Sequence, residues 1–369
     1  MTVLSTKPKF YSLKNILSKN AQYNIIFGER SNGKTYSVLK YGLDRWKEDR
    51  SQLAIVRRWQ EDFKGKRGAN LYNALVENGE ISKATNGQYD SVYYYSNRWY
   101  FAKFDEKLQR RIISDEPFAF AFSLSNMEHD KSVSYPRINT IVFDEFITRE
   151  TYQVDEFVVF TNVISTIVRY RDNVKIFMLG NTVNQYCPYF KEMGLKHISK
   201  MNKGDIDVYT YGDSKLRVAV EYADSPNKRD GKPSDVYFAF DNPKLNMITG
   251  GAWEIDLYPH CPFKYKPKDI LFKFYIIFEI YTLQCNIIQN GNDIILFIHR
   301  KTTPIKDEEN DLVYTTEYDP RPNWRRNIMK PQFSIEKKIS SFFRNDKVFY
   351  QDNEVGEIVR NYLLWCKSL

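Results

Sequence analysis

Short apolar runs closed by polar or glycine residues alternate along the N-terminal half with longer stretches in which apolar positions recur at helical spacing. Residues 24–27 form the first run, and residues 34 to about 46 follow it with Val38, Leu39, Tyr41 and Leu43 as apolar members. Gln52–Arg57, residues 139–146 and residues 175–180 repeat the strand pattern. Between the last two, residues 150–171 read as a helix carrying Phe157, Phe160, Val163, Ile164 and Ile167. Runs that are continuously apolar, rather than alternating, are what strands buried on both faces require. The pattern therefore predicts an α/β domain with a mostly parallel sheet flanked by helices.

Other stretches change character. Residues 88–104 place Tyr93–Tyr95 and Trp99–Phe104 on either side of Ser96-Asn97, which predicts an aromatic hairpin packed mainly into the core. Strand-like pieces at 207–211 and 216–222 precede the polar run 225–234, whose Pro, Gly and Lys content marks a linker. Residues 270–289, a turn at Asn290-Gly291 and residues 293–299 predict a hairpin, and helical patterns at 334–343 and 354–367 end the chain. At 369 residues the chain exceeds a single core. The expected divisions are 1–205, a linker subdomain 206–255, and a smaller α+β domain 256–369. The run 270–283 is interrupted by Lys273 and Glu279 and is too short to span a bilayer, so no membrane partner is expected.

Composition narrows the classes. Hydrophobic content of 42%, with 16% aromatic residues, excludes disorder, and a net charge of +8 suits a polyanionic partner. Cys187, Cys261, Cys285 and Cys366 form no C-x-x-C pair and only four histidines accompany them, which argues against structural zinc and fits a reducing compartment. The first twenty residues carry lysines at 7, 9, 14 and 19 without an apolar core, unlike a signal peptide.

Two stretches carry chemistry. Residues 28–35, Gly-Glu-Arg-Ser-Asn-Gly-Lys-Thr, follow a strand pattern and open a helix, the context that a phosphate-binding loop needs. Gly28 and Gly33 allow the backbone to curl so that the amides of Glu29, Arg30, Ser31, Asn32 and Gly33, continuing to Tyr36, face a phosphate. Lys34 reaches its outer oxygens and Thr35 offers a hydroxyl to Mg²⁺. The run 139–146 ends its apolar stretch in Asp144-Glu145. In a phosphate-loop protein such a strand end delivers Asp144 to the metal and Glu145 as general base for an attacking water. Asn181, at the end of the run 175–180, is placed to touch a γ-phosphate or that water, with a plain turn as the competing reading. The loop 63–68 gathers Lys64, Lys66 and Arg67, which suits backbone phosphates of nucleic acid or a solvated turn.

The order of the phosphate loop, the Val-Arg-Arg strand end, Lys131-Ser-Val-Ser-Tyr-Pro136, Ile-Val-Phe-Asp-Glu-Phe, Arg169-Tyr-Arg171 and Asn181 resembles the genome-packaging ATPases of small protein-primed tailed bacteriophages. These are compact relatives of terminase large subunits in the ASCE division of P-loop ATPases. The resemblance covers about residues 10–200. It implies a homomeric ring, usually pentameric, docked on the portal of a prohead in the host cytoplasm and moving double-stranded DNA inward with ATP and Mg²⁺. It also implies that Lys131 and Arg169 act on a neighbouring subunit's ATP, with Arg171 as the competing finger, and that Arg30 senses nucleotide in its own subunit. The C-terminal region is then expected to be RNase H-like and nuclease-inactive, attached to DNA, portal or prohead RNA. A helicase-like or recombination ATPase stacking single strands on the aromatic hairpin is the alternative. A module that binds nucleotide without hydrolysing it is a third reading.

Overall fold

The protein is represented by a computed structural model that describes residues 11–129, 133–224 and 253–367. The described residues fall into two compact units, one within Met1–Arg149 and Asp155–Trp253, the other within Glu150–Val154 and Glu254–Leu369.

The first unit contains β1 (Tyr23–Gly28), α1 (Lys34–Asp49), β2 (Gln52–Arg57), β3 (Ser91–Tyr95), β4 (Arg98–Asp105), β5 (Arg110–Ile113), β6 (Ala119–Ser123), β7 (Ile138–Asp144), α2 (Glu156–Val168), β8 (Lys175–Asn181), β9 (Ile206–Tyr211) and β10 (Leu216–Ala223). Ten strands form one sheet in the order β3-β4-β6-β2-β7-β8-β1-β10-β9, with β5 beside β4. Its centre, from β6 to β10, is parallel throughout. Antiparallel pairs finish both sides. The apolar runs become central strands because both faces are covered. Ile26, Leu53, Ile55, Val142, Phe177 and Leu179 pack in one core with Val38, Leu39 and Leu43 of α1.

Residues 206–223, expected in a linker subdomain, instead form β9 and β10 of this sheet, and the polar run 225–234 lies outside the described residues. The helix expected from residue 150 begins at Glu156, because Asp155 turns left-handed at φ 50°. It ends at Val168, since Arg169 and Tyr170 both adopt positive φ. The aromatic hairpin is present as β3 and β4, and Ser96 and Asn97 turn it with positive φ at both positions.

The second unit contains β11 (Ile270–Phe278), β12 (Tyr281–Asn290), β13 (Asp293–Arg300), β14 (Val313–Thr315), β15 (Trp324–Arg325), α3 (Ser334–Arg344), β16 (Val348–Tyr350) and α4 (Asn353–Cys366). The apolar run 270–289 is two strands rather than one. It folds back at Glu279, which adopts φ 54°. The sheet order is β15-β14-β11-β12-β13-β16. β11, β12 and β13 form an antiparallel meander, while β14 and β15 add parallel to its first strand and β16 adds parallel to β13. A meander whose first strand is extended by parallel partners is the RNase H-like arrangement. α4 starts where Asp352 caps Val355 N–H at 2.8 Å, and it buries Val355, Ile358, Val359 and Tyr362.

Candidate nucleotide site

β8 lies between β1 and β7, so the phosphate loop, Asn181 and the Asp144-Glu145 pair all emerge at the C-terminal edge of neighbouring parallel strands. A cavity of about 320 Å³ there is lined by Ser31, Asn32, Gly33, Lys34, Thr35 and Tyr36 from the loop, with Asp144, Glu145 and Asn181 facing them. Arg57, Leu179 and Gly180 complete it.

Gly33 carries the left-handed turn, at φ 88°, that lets α1 start with its amides toward the cavity. Gly28 serves a different purpose from the curl expected of it. It is the last residue of β1, and a Cβ there would lie 2.7 Å from the Ala223 carbonyl oxygen on β10.

Lys34 Nζ donates to the Glu29 carbonyl at 2.7 Å, to Asn32 Oδ1 at 3.2 Å and to Asn181 Oδ1 at 3.3 Å. Burial pushes its pKa down to about 8, against the pull of Asp144 and Glu29. Glu29 itself pairs with Lys203. Thr35 Oγ1 donates to Asp144 Oδ1 at 3.1 Å, and Arg57 Nη2 donates to Asp144 Oδ2 at 2.7 Å. Asn32 Nδ2 is a buried donor without a protein partner in the described residues, set in the loop whose amides face the cavity.

Glu145 stands at φ 60°, a conformation costly for a side chain larger than glycine. Its backbone is held from behind. Arg58 Nη1 donates to the Glu145 carbonyl at 3.3 Å and Nη2 to the Phe146 carbonyl at 2.9 Å. The same guanidinium forms a buried two-pronged pair with Glu156 of α2 at 2.8 and 2.9 Å, and Tyr189 Oη donates to Glu156 at 2.9 Å. Arg57 and Arg58 were the residues missed as site members. Their signal was the strand end Val-Arg-Arg beside an acidic strand end, since β2 and β7 are parallel neighbours with Val56 opposite Phe143.

Other expected residues lie elsewhere. Arg30 is exposed, and neither it nor Glu29 lines the cavity. Arg169 donates to the Val133 carbonyl at 3.0 Å, beside the fully exposed Tyr170. Arg171 is no free finger. Its guanidinium is committed to the carbonyls of Ile138 at 2.8 Å, Ile167 at 2.7 Å and Val168 at 3.0 Å, and to Asn139 Oδ1 at 2.8 Å. It therefore clamps the end of α2 to the start of β7. Lys131 lies outside the described residues.

Lys64, Lys66 and Arg67 sit on an exposed turn and the short helix Lys66–Ala69, where Lys64 pairs with Glu61 at 3.0 Å. Trp99 is fully buried, its Nε1 donating to the Gly68 carbonyl at 2.8 Å, so it anchors that basic turn rather than offering a stacking face. Among the described residues no helix is long and apolar enough to cross a membrane.

The fold is also found in the Phi-28 gp11 DNA packaging motor, with a TM-score of 0.54, 19% identity, and coverage of 98% of this chain and 99% of that one. The phi29 viral genome packaging motor assembly matches with a TM-score of 0.56 at 22% identity, covering 98% and 99%. In sequence, the DNA packaging protein of Bacillus phage PZA is 26% identical over 282 residues, three quarters (75%) of each chain. That of Bacillus phage phi29 is 29% identical over 188 residues, half (50%) of each. The family model described as podovirus DNA encapsidation protein (Gp16) matches residues 5–232, so the chain belongs to that family.

Proposed function

We propose that this chain is the ATPase subunit of a viral DNA-packaging motor, drawing double-stranded DNA into a prohead by ATP hydrolysis. The observation that carries the reading is the convergence of Lys34, Thr35, Asp144, Glu145 and Asn181 on one cavity, in a chain of the DNA encapsidation family.

The cavity's donors fit a nucleotide and its metal. Main-chain amides and Lys34 answer phosphate oxygens, and the orphaned Asn32 amide is a further donor beside them. Thr35 and Asp144 offer the hard oxygens that Mg²⁺ prefers and would hold it. When bound, Mg²⁺ neutralises charge that spreads onto the phosphate oxygens during transfer. Glu145, held at its strained backbone by Arg58, accepts the proton of the attacking water. Lys34 exchanges its protein acceptors for phosphate oxygens, and Asn181, released from Lys34, positions the γ-phosphate or the water.

Arg169, at the turn after α2 beside Tyr170, has the exposure expected of a group serving the ATP of the next subunit in a homomeric, pentameric ring. Lys131 would share that role. The Lys64, Lys66 and Arg67 turn would touch DNA phosphates, as a pump blind to sequence requires. The second unit would attach to DNA, the portal or prohead RNA, with the motor working at the prohead vertex in the host cytoplasm.

The test is DNA uptake by proheads supplied with the protein. ATP-dependent protection of duplex DNA from nuclease is expected, with no strand displacement on forked substrates. Unwinding without uptake would favour the helicase-like alternative.

A further inference from the structure

Arg57 ends β2, one strand from Asp144, and reaches the cavity wall beside it. Both oxygens of Asp144 are committed, Oδ1 to the Thr35 hydroxyl at 3.1 Å and Oδ2 to Arg57 at 2.7 Å. The carboxylate that would serve the metal is therefore already neutralised by a side chain of the same subunit. The pair is secluded, with side-chain exposure of 19% for Arg57 and 7% for Asp144, where two cations repel far more strongly than in water. The guanidinium is also under-used, since its Nε is buried with no acceptor among the described residues. Only part of a five-donor fork is spent on Asp144, and Arg57 lines the same cavity as Lys34 and Thr35.

We propose that Arg57 is a resident cation in the metal's place, which leaves Asp144 when magnesium arrives with the nucleotide and transfers to the phosphates. The inference rests on reading the cavity as a Mg·ATP site and adds a cis residue to it. Asp144 stays balanced at every stage, by Arg57 or by the metal, so the acidic pair does not repel the incoming triphosphate. Metal entry thereby frees a guanidinium at the moment when charge on the phosphates needs it.

The test measures the affinity of a fluorescent ATP analogue, mant-ATP, in EDTA and in saturating Mg²⁺, for the full chain and for Arg57→Gln and Arg57→Lys. The ratio of the two dissociation constants is the gain that the metal brings. In Arg57→Gln that gain should grow about tenfold, because metal-free binding meets an unneutralised Asp144 and the metal displaces no resident cation, the two together outweighing the phosphate contact that the variant also loses. Arg57→Lys keeps the charge and should stay within about twofold of the parent ratio.

A ratio unchanged in Arg57→Gln overturns the proposal, and so does an equal change in both variants. Should Arg57→Gln not fold, a crystal structure of the parent with Mg²⁺ and ATPγS decides. Arg57 is expected off Asp144 and on a phosphate, and a metal seated with the 2.7 Å pair intact refutes the exchange. Absence of mant-ATP binding by the parent in both media instead overturns the nucleotide reading itself, and this inference with it.

Discussion

Lys34 is held by three oxygens of its own subunit, two of them amide side chains and one a main-chain carbonyl, none charged. Burial in that setting lowers its pKa from 10.5 to about 8. A lysine whose pKa is depressed by folding costs stability at every pH below about 8, and the cost fades as pH rises toward 10.5. A triphosphate brought beside the amine restores the charged form. At a pH of about 8, binding of ATP should therefore take up a fraction of a proton, approaching roughly half a proton per site. Calorimetry in buffers of different ionisation enthalpy reads this directly, and Lys34→Met should abolish it. Proton release, or none, would place Lys34 elsewhere than on phosphate.

The site residues were legible in unequal measure. The glycine-bounded loop and the acidic strand end announce themselves because phosphate and metal chemistry demand those residue types at those positions. Arg171 could not be sorted from Arg169 by sequence, since only the fold shows that the carbonyls of Ile138, Ile167 and Val168 surround one of them. Arg57 and Arg58 were visible as a basic strand end. Their partners, however, stand 87 and 98 positions away in the chain.

Among the elements, α2 matters to the chemistry without touching it. Glu156 in its first turn grips Arg58, and Arg58 holds the carbonyls of Glu145 and Phe146. Glu156 is 3% exposed, so its removal strands a buried guanidinium. Glu156→Ala should cost about 3–5 kcal/mol in urea unfolding of the chain, and should lower ATP turnover under conditions where the variant is still folded. A loss below about 1 kcal/mol would mean that the pair is solvated and does not brace the acidic loop.

Strands β1, β2, β7 and β8 followed the apolar runs closely, because burial on both faces leaves a strand few other sequences, whereas β6 matched no run singled out in the sequence. The start of α2 did not, since Asp155 and the residues before it follow tertiary placement rather than helical spacing. The run 270–289 concealed a turn at Glu279 because that turn carries neither glycine nor proline.

Taken whole, the chain comprises a ten-stranded α/β unit, which gathers the candidate phosphate, metal and base groups at one sheet edge, and a second unit with its own six-stranded sheet. The class of the first unit could be read from its apolar runs. Residues 207–211 and 216–222 were legible as strands, but their place in this sheet as β9 and β10 was not, because a polar run soon after them resembled a linker. A net charge of +8 set the expectation of a polyanionic partner, and the assignment of Lys64, Lys66 and Arg67 to DNA rested on their clustered charge.

Hydrolysis at this site depends on Glu145 taking a proton from water while Lys34, Thr35 and Asp144 hold the nucleotide and its metal. The decisive measurement pairs mant-ATP binding with ATP hydrolysis for Glu145→Gln, on the motor assembled at proheads with DNA. Binding should be retained, and turnover should fall about 10²–10⁴-fold, the usual contribution of a general base. Turnover equal to that of the parent protein would show that Glu145 is not the base and that the site does not work in this way.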